Sequence, residues 1–296
     1  MGTVYNGIMG LVVGDALGVP FEFRQRGTYK ATDMVGFGTH QQPPGTWSDD
    51  SSLTLATLES IVRRGGVDPA DIMQNFFFWL DDGMFTPYGK VFDIGGATKQ
   101  AIYRYANGEE PAKCGAKSRL DNGNGALMRI LPLAFVDHTA KDVEQVGQLT
   151  HAHEISQTAC RLYVHLAHLL LNGMPLKNAI CVLAYLPPVA HMKEFGRISY
   201  IGELRRKEIR STGYVVDTLE AALWCFVNSS TYEDCVLTAV NLGDDTDTIA
   251  AIAGSLAGIY YGCGGETGIP DRWIQQIARR EWIEQLCNDF EKLISK

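Results

Sequence analysis

The 296-residue chain carries 26 Lys and Arg against 34 Asp and Glu, a formal net charge of −8, with 46% hydrophobic and 20% charged residues. That is the composition of a folded globular protein, which excludes long disorder. The acidic balance also argues against a nucleic-acid backbone as partner, since the densest basic run, Arg205-Arg206-Lys207, is flanked by Glu203 and Glu208.

In chain order, Ile8, Leu11, Val12 and Leu17 recur at helical spacing. Gly7, Gly10, Gly14 and Gly18 lie between them, a pattern that lets a second backbone approach closely. Phe23 to Trp47, rich in Gly, Pro, Thr and Gln, reads as a long loop. Leu53, Leu55, Leu58, Ile61 and Val62 form an apolar stripe after Asp49-Asp50. Asp68-Pro69-Ala70-Asp71 reads as a cap with Pro in the first turn, opening a helix through Trp79.

Ala97 to Tyr105 is the next helical pattern, followed by a polar loop from Gly108 to Gly125. Ile155–Leu171 and Leu176–Leu186 are further helices, the second stopped by Pro187-Pro188. Val216–Val227, Tyr232–Val240, Ile249–Tyr261 and an amphipathic Arg272–Leu293 complete the set. Ten or so helices with almost no period-2 alternation predict an all-α fold.

Thr248–Gly265 lacks charge and is nearly long enough to cross a bilayer. Its glycines and alanines, and the acidic residues that lead into it, fit a buried core helix better, and no membrane partner is expected. The seven cysteines show no C-x-x-C spacing, and the first residues lack a basic signal-peptide start. Reduced thiols and a cytoplasmic setting are therefore expected.

Two acidic motifs stand out. Ser48-Asp49-Asp50-Ser51 precedes an apolar helix, where Ser and Asp cap free N–H groups and suit the dipole. Capping alone does not require two adjacent carboxylates. Asp244-Asp245-Thr246-Asp247-Thr248 places three carboxylates within four residues, which repel unless solvated or neutralised. The available donors in both motifs are oxygens, which select a hard cation such as Mg²⁺, Mn²⁺ or Ca²⁺. If the two motifs converge they supply enough ligands for two ions, typically ~3.5–4 Å apart.

A third motif, Asn122-Gly123-Asn124-Gly125-Ala126-Leu127-Met128-Arg129, offers small residues leading into a helical turn, which suits a phosphate. Thr150-His151, Phe92-Asp93-Ile94-Gly95 and Tyr214 have plain alternatives as a helix start, a turn and a core aromatic. No Ser-His-Asp arrangement is visible.

Taken together and in this order, these motifs resemble the ADP-ribosylglycohydrolase family, along nearly the whole chain. The resemblance begins at Gly10-Leu11-Val12-Val13-Gly14-Asp15-Ala16-Leu17-Gly18 and closes at Asn241 to Ile249. It implies a compact, orthogonal multi-helix bundle around a metal-binding cleft. It also implies one domain over residues 1–296, where length alone suggests about two.

By matched motif, Ser48, Asp49, Asp50, Asp245, Asp247 and Thr248 would hold two Mg²⁺ or Mn²⁺ ions. Asp244 would stand just outside the ligand set. Asn124, Gly125, Ala126 and Met128 would bind the diphosphate, His151 would lie near the ribose or phosphates, and Tyr214 would flank the adenosine. Glu22 would sit near the metal entrance. Asp93, with Asp50 and Asp247, would carry the proton transfers.

The implied reaction is hydrolysis of the bond joining ADP-ribose to a protein or small-molecule acceptor. N-linked arginine is preferred over an O-linked acceptor (ADP-ribosyl-serine or O-acetyl-ADP-ribose) or a non-catalytic binding role. A monomer is the favoured state. One departure is visible: the family's T-D-D-T is S-D-D-S here, and Ser keeps the hydroxyl while losing the β-branch that restricts Thr.

Overall fold

The computed structural model describes residues 2–295. In chain order the helices are α1 (Thr3–Gly18), α2 (Asp49–Arg64), α3 (Pro69–Asp82), α4 (Gly96–Ala106), α5 (Pro111–Cys114), α6 (Ala140–Gly147) and α7 (Glu154–Leu171). They continue with α8 (Leu176–Tyr185), α9 (Pro187–His191), α10 (Val215–Val227), α11 (Tyr232–Val240), α12 (Thr246–Tyr261), α13 (Asp271–Ile274) and α14 (Arg280–Ile294). Short 3-10 turns fill several connections, and the described residues contain isolated β-bridges but no strand. The chain is all-α.

Three local departures from the sequence pattern have clear causes. The octapeptide α6 has too few residues to show a period; Thr139 and Asp142 close a reciprocal capping box that starts it. Pro187-Pro188 ends one helix and also opens α9, because Pro suits a first helical turn. The expected single C-terminal helix is split, with Arg279 in the left-handed region at φ 49° between α13 and α14.

The glycines of α1 explain the centre of the fold. A Cβ on Gly10 would stand 2.3 Å from the Gly254 carbonyl oxygen, and one on Gly14 would stand 2.1 Å from that of Ala250. One on Gly18 would stand 2.3 Å from the Asp247 Cα. Backbone therefore lies directly on backbone along α1 and α12. The uncharged stretch expected to be a core helix is α12, buried from Thr246 to Gly258.

Thr246 Oγ1 donates to the Gly18 carbonyl (2.8 Å), fixing the register of the pair, and Tyr232 Oη from α11 donates to that of Gly10 (2.7 Å). The buried apolar side chains form one cluster running from α1 to α14. The result is that the C-terminal end of α1 and the N-termini of α2 and α12 meet.

Candidate active site

The meeting point is lined with carboxylates. Asp15, from α1, is completely buried and accepts from Ser48 N (3.0 Å), Ser51 N (3.0 Å) and Ser51 Oγ (2.5 Å). It is a brace that seats the start of α2. Ser48 is the N-cap of that helix, accepting from Asp50 N, while its own hydroxyl donates to Asp50 Oδ2 (3.0 Å). Thr248 Oγ1 reaches the same Asp50 oxygen from α12 (3.3 Å). The two acidic motifs, about 200 residues apart in the chain, are thus in contact.

Asp15, Asp50 and Asp247 offer oxygens within 4.8 Å of one another, and so do Glu22, Asp245 and Asp247. A third group, Glu22, His40 and Asp93, shares Glu22 with the second. Burial pushes Asp15 up to about 6 and Glu22 up to about 7. Asp49, Asp50 and Asp247 are raised well above the carboxylate range, by burial first and then by the neighbouring carboxylates.

Three buried carboxylate oxygens have no hydrogen-bond partner: Asp50 Oδ1, Asp245 Oδ1 and Asp247 Oδ2. Buried oxygens left unpaired are costly. These three come from both motifs, and an all-oxygen set of this kind fits a hard divalent cation.

Opposite the carboxylates lies the glycine-rich loop. Asn124 Nδ2 donates to Asp245 Oδ2 (2.7 Å) and to Thr218 Oγ1 (3.0 Å). Asn124 N donates to the Gly213 carbonyl and Val215 N to that of Asn122, so the loop is zipped to the start of α10. Tyr214 stands at that junction, bridged to Gly123 and 37% exposed.

Beneath the loop, His151 is buried, with Nδ1 2.8 Å from Thr150 Oγ1. Thr150 Oγ1 already accepts from Arg129 Nη2 (2.9 Å), so its own proton is free to go to His151 Nδ1. That leaves the imidazole proton on Nε2, the nitrogen beside Gly123 and Gly125. Burial holds the His151 pKa down at about 3, so the ring is neutral. A Cβ at Gly125 would meet Thr98 Oγ1 at 2.7 Å and His151 Cε1 at 2.9 Å, so only glycine fits there.

Left-handed residues recur in the loops around the site. Phe23, Phe37, Gln41, Asp93 and Asp244 all have positive φ, between 48° and 67°. Such conformations are costly for non-glycine residues and concentrate at functional sites. Phe23 N donates to the Asp244 carbonyl and Asp244 N to that of Arg24, tying the loop after α1 to the second acidic motif. His40 Nε2 grips Glu22 Oε2, and its ring lies 5.4 Å from that of Phe92 and 6.1 Å from that of Phe23. Asp93 lies next to Phe92 and is raised by burial, while His40 opposes that shift.

A family model described as ADP-ribosylglycohydrolase matches residues 3–296. The chain belongs to the ADP-ribosylglycohydrolase family. It is 36% identical to the ADP-ribosylarginine hydrolase Tri1 of Pseudomonas putida (strain GB-1), over 96% of this chain and 76% of that one. It is 32% identical to the ADP-ribosyl-[dinitrogen reductase] glycohydrolase of Rhodospirillum rubrum, over 91% and 88%. Similarity to the mouse ADP-ribosylhydrolase ARH3 is lower, 24% over 98% and 91%. A solved structure titled "ADP-ribosylglycohydrolase-related protein complex" shares the fold with a TM-score of 0.83 and 32% identity, over 98% and 97% of the two chains.

Most residues that the ADP-ribosylglycohydrolase resemblance singles out come together. Ser48, Asp49, Asp50, Asp245, Asp247 and Thr248 surround one cleft, with Glu22 and Asp93 at its mouth and Asn124 and His151 on the facing side. The loop is mostly buried. Gly125, Ala126 and Met128 are buried; the Met128 carbonyl accepts from Thr54 Oγ1 (3.2 Å) and seats the loop on α2. The accessible positions are Gly123 and Asn124. Asp244 is exposed, its Oδ2 facing Ser211 Oγ (3.4 Å).

Two residues of the site, Asp15 and His40, have no role in the sequence reading. A lone carboxylate in a glycine-rich apolar helix is the available signal for Asp15. His40 lies in a loop without periodicity and has none.

Proposed function

We propose that this ADP-ribosylglycohydrolase removes ADP-ribose from arginine in a cleft that holds Mg²⁺ or Mn²⁺. The observation that carries this reading is the convergence of two acidic helix starts on three unpartnered, buried carboxylate oxygens. Similarity to the two relatives named for arginine and dinitrogen reductase supports the acceptor. Asp50, Asp245 and Asp247 would hold the cations, with Ser48, Asp49 and Thr248 completing the set. Bound cations would fix the ribose hydroxyls and activate a water.

The protein's own residues do the rest. The Nε2–H of His151 presents a donor to the phosphates along the loop, while Asn124, whose side-chain and main-chain N–H groups go to Asp245, Thr218 and Gly213, holds the loop in place. Tyr214 offers a ring face at the rim for the adenosine. Water adds its oxygen to C1″ as the bond to the guanidinium nitrogen breaks and the electron pair leaves with arginine. Asp93, raised by burial at the mouth, takes a proton from that water and returns it to the departing guanidine. The surrounding carboxylates favour the cationic character that develops on the ribose.

The test is to offer ADP-ribosyl-arginine and ADP-ribosyl-serine peptides in parallel with Mg²⁺ and Mn²⁺. Release is expected from arginine, and none from it under either metal refutes the reading. The double substitution Asp245→Ala and Asp247→Ala should abolish turnover; unchanged turnover would remove the metal mechanism.

A further inference from the structure

The overall charge of −8 conceals a basic face beside the cleft. Arg24 follows Glu22 by two residues, and its main chain pairs with Asp244 at the second acidic motif. The Arg24 guanidinium lies over the Tyr29 ring (4.8 Å). Tyr29, Lys30 and Arg206 line a surface cleft of about 670 Å³ with Trp224, Asn228 and Thr238, and no carboxylate lines it.

Arg26, half-buried, lies close enough to Arg206 for the two cations to oppose each other, with Asp244 the one carboxylate near enough to favour its charge. None of Arg24, Arg26, Lys30 and Arg206 has a carboxylate within ion-pair distance among the described residues. Arg26 and Arg206 donate instead to main-chain carbonyls, of Leu242 and Ile209 and of Asn241 respectively. Carbonyls at a helix end carry only about half a charge in total, so they anchor these cations without neutralising them.

A cluster in which four cations face one nearby carboxylate, Asp244, is a net positive patch on an acidic protein, and it raises the local concentration of acidic partners and steers them. We propose that this face docks an acidic stretch flanking the modified residue of a protein substrate. This rests on the reading of the cleft as an ADP-ribosyl-arginine hydrolase. Arg24 is two residues from Glu22, and an extended peptide spans ~3.3 Å per residue. Asp or Glu a few positions from the modified arginine therefore reaches the face while ADP-ribose occupies the cleft. Without the face, the cleft carboxylates would repel such a substrate.

The experiment compares ADP-ribosyl-arginine peptides with acidic, neutral and basic flanks, and free ADP-ribosyl-arginine, in wild type and in the double variant Arg24→Glu/Lys30→Glu. Wild type is expected to favour the acidic flank about tenfold in kcat/KM at low salt. The preference should vanish in about 0.5 M NaCl, where surface charges are screened. The variant should lose the preference and cleave free ADP-ribosyl-arginine as wild type does.

If wild type cleaves free ADP-ribosyl-arginine and treats all flanks alike, the docking proposal is overturned. It is equally overturned if the preference survives in the variant. Should a short oligothymidylate bind this face while flanks are ignored, the occupant is a nucleic acid and the peptide assignment falls. Cleavage of no arginine substrate overturns the functional reading itself, and this proposal with it. The salt titration on wild type keeps the test available if the variant does not fold.

Discussion

Replacing Gly14 by Ala tests whether the α1–α12 contact sets the geometry of the site. The new Cβ would lie 2.1 Å from the Ala250 carbonyl oxygen, where ordinary contact begins at 3.4 Å. The contacted atom is main chain and cannot rotate away, so the helices must part by roughly 1 Å. Overpacking of this kind costs about 1–3 kcal/mol, and the rigid contact argues for the upper end. Ala in place of Gly in a helix returns about 1 kcal/mol, leaving a net loss near 2 kcal/mol and, for a chain of this length, a melting temperature about 3 °C lower.

Asp15 follows Gly14, and Asp247 sits at the N-terminus of α12, so the same displacement separates carboxylates that now lie within 4.8 Å. A misplacement of about 1 Å costs on the order of 100-fold in rate. Turnover of ADP-ribosyl-arginine, measured well below the melting temperature, should fall by that order in the folded variant. Gly66→Ala is the control: a Cβ added to Gly66 would meet nothing within 4 Å, so stability and turnover should hold. A Gly14→Ala protein that melts and turns over like wild type would refute the argument.

Adding Mg²⁺ or Mn²⁺ at about 100 times its dissociation constant should stabilise the fold by about 2.7 kcal/mol, read as a rise in melting temperature over EDTA; identical melts count against the site. In EDTA, stability should also fall as pH rises from about 4 to 7. Asp15 and Glu22 titrate at about 6 and 7 when folded, above their unfolded values, so the folded form binds protons that the unfolded chain has released. Cations should flatten that slope, and equal slopes with and without them would sink the assignment. His40→Ala should lower kcat about tenfold through the lost grip on Glu22, a charge-assisted bond, and His40→Gln should recover most of it; equal losses would make His40 merely structural. Thr150→Val strands the Arg129–His151 link and should destabilise by about 1–3 kcal/mol, read in a urea melt.

Helix existence is legible in the sequence because apolar spacing over ten or more residues is a strong signal. The pattern Gly7, Gly10, Gly14, Gly18 announces a close backbone contact and leaves its partner unnamed. That partner, α12, lies more than 200 residues away, and nothing in either segment alone specifies the other. Site carboxylates are legible because paired acids before an apolar helix exceed what capping needs. Their arrangement is not, since the shared approach of Ser48 and Thr248 to one Asp50 oxygen is a tertiary fact. His40 is invisible for the same reason: its role depends on a tight turn in which Thr39 pairs with Pro20 and Glu22.

The contact between α1 and α12 also sets when the protein can work. Gly18 and Thr246 are 228 residues apart and bonded. At ribosomal rates of roughly 5–20 residues per second, α1 waits about 10–45 s for α12 to emerge. During that interval its apolar surface, buried almost completely in the folded state, lacks its main native partner. A nascent chain stopped before Thr246 would have Asp15 and Asp50 but neither Asp247 nor the backbone that spaces them, so hydrolysis begins only after α12 has been made.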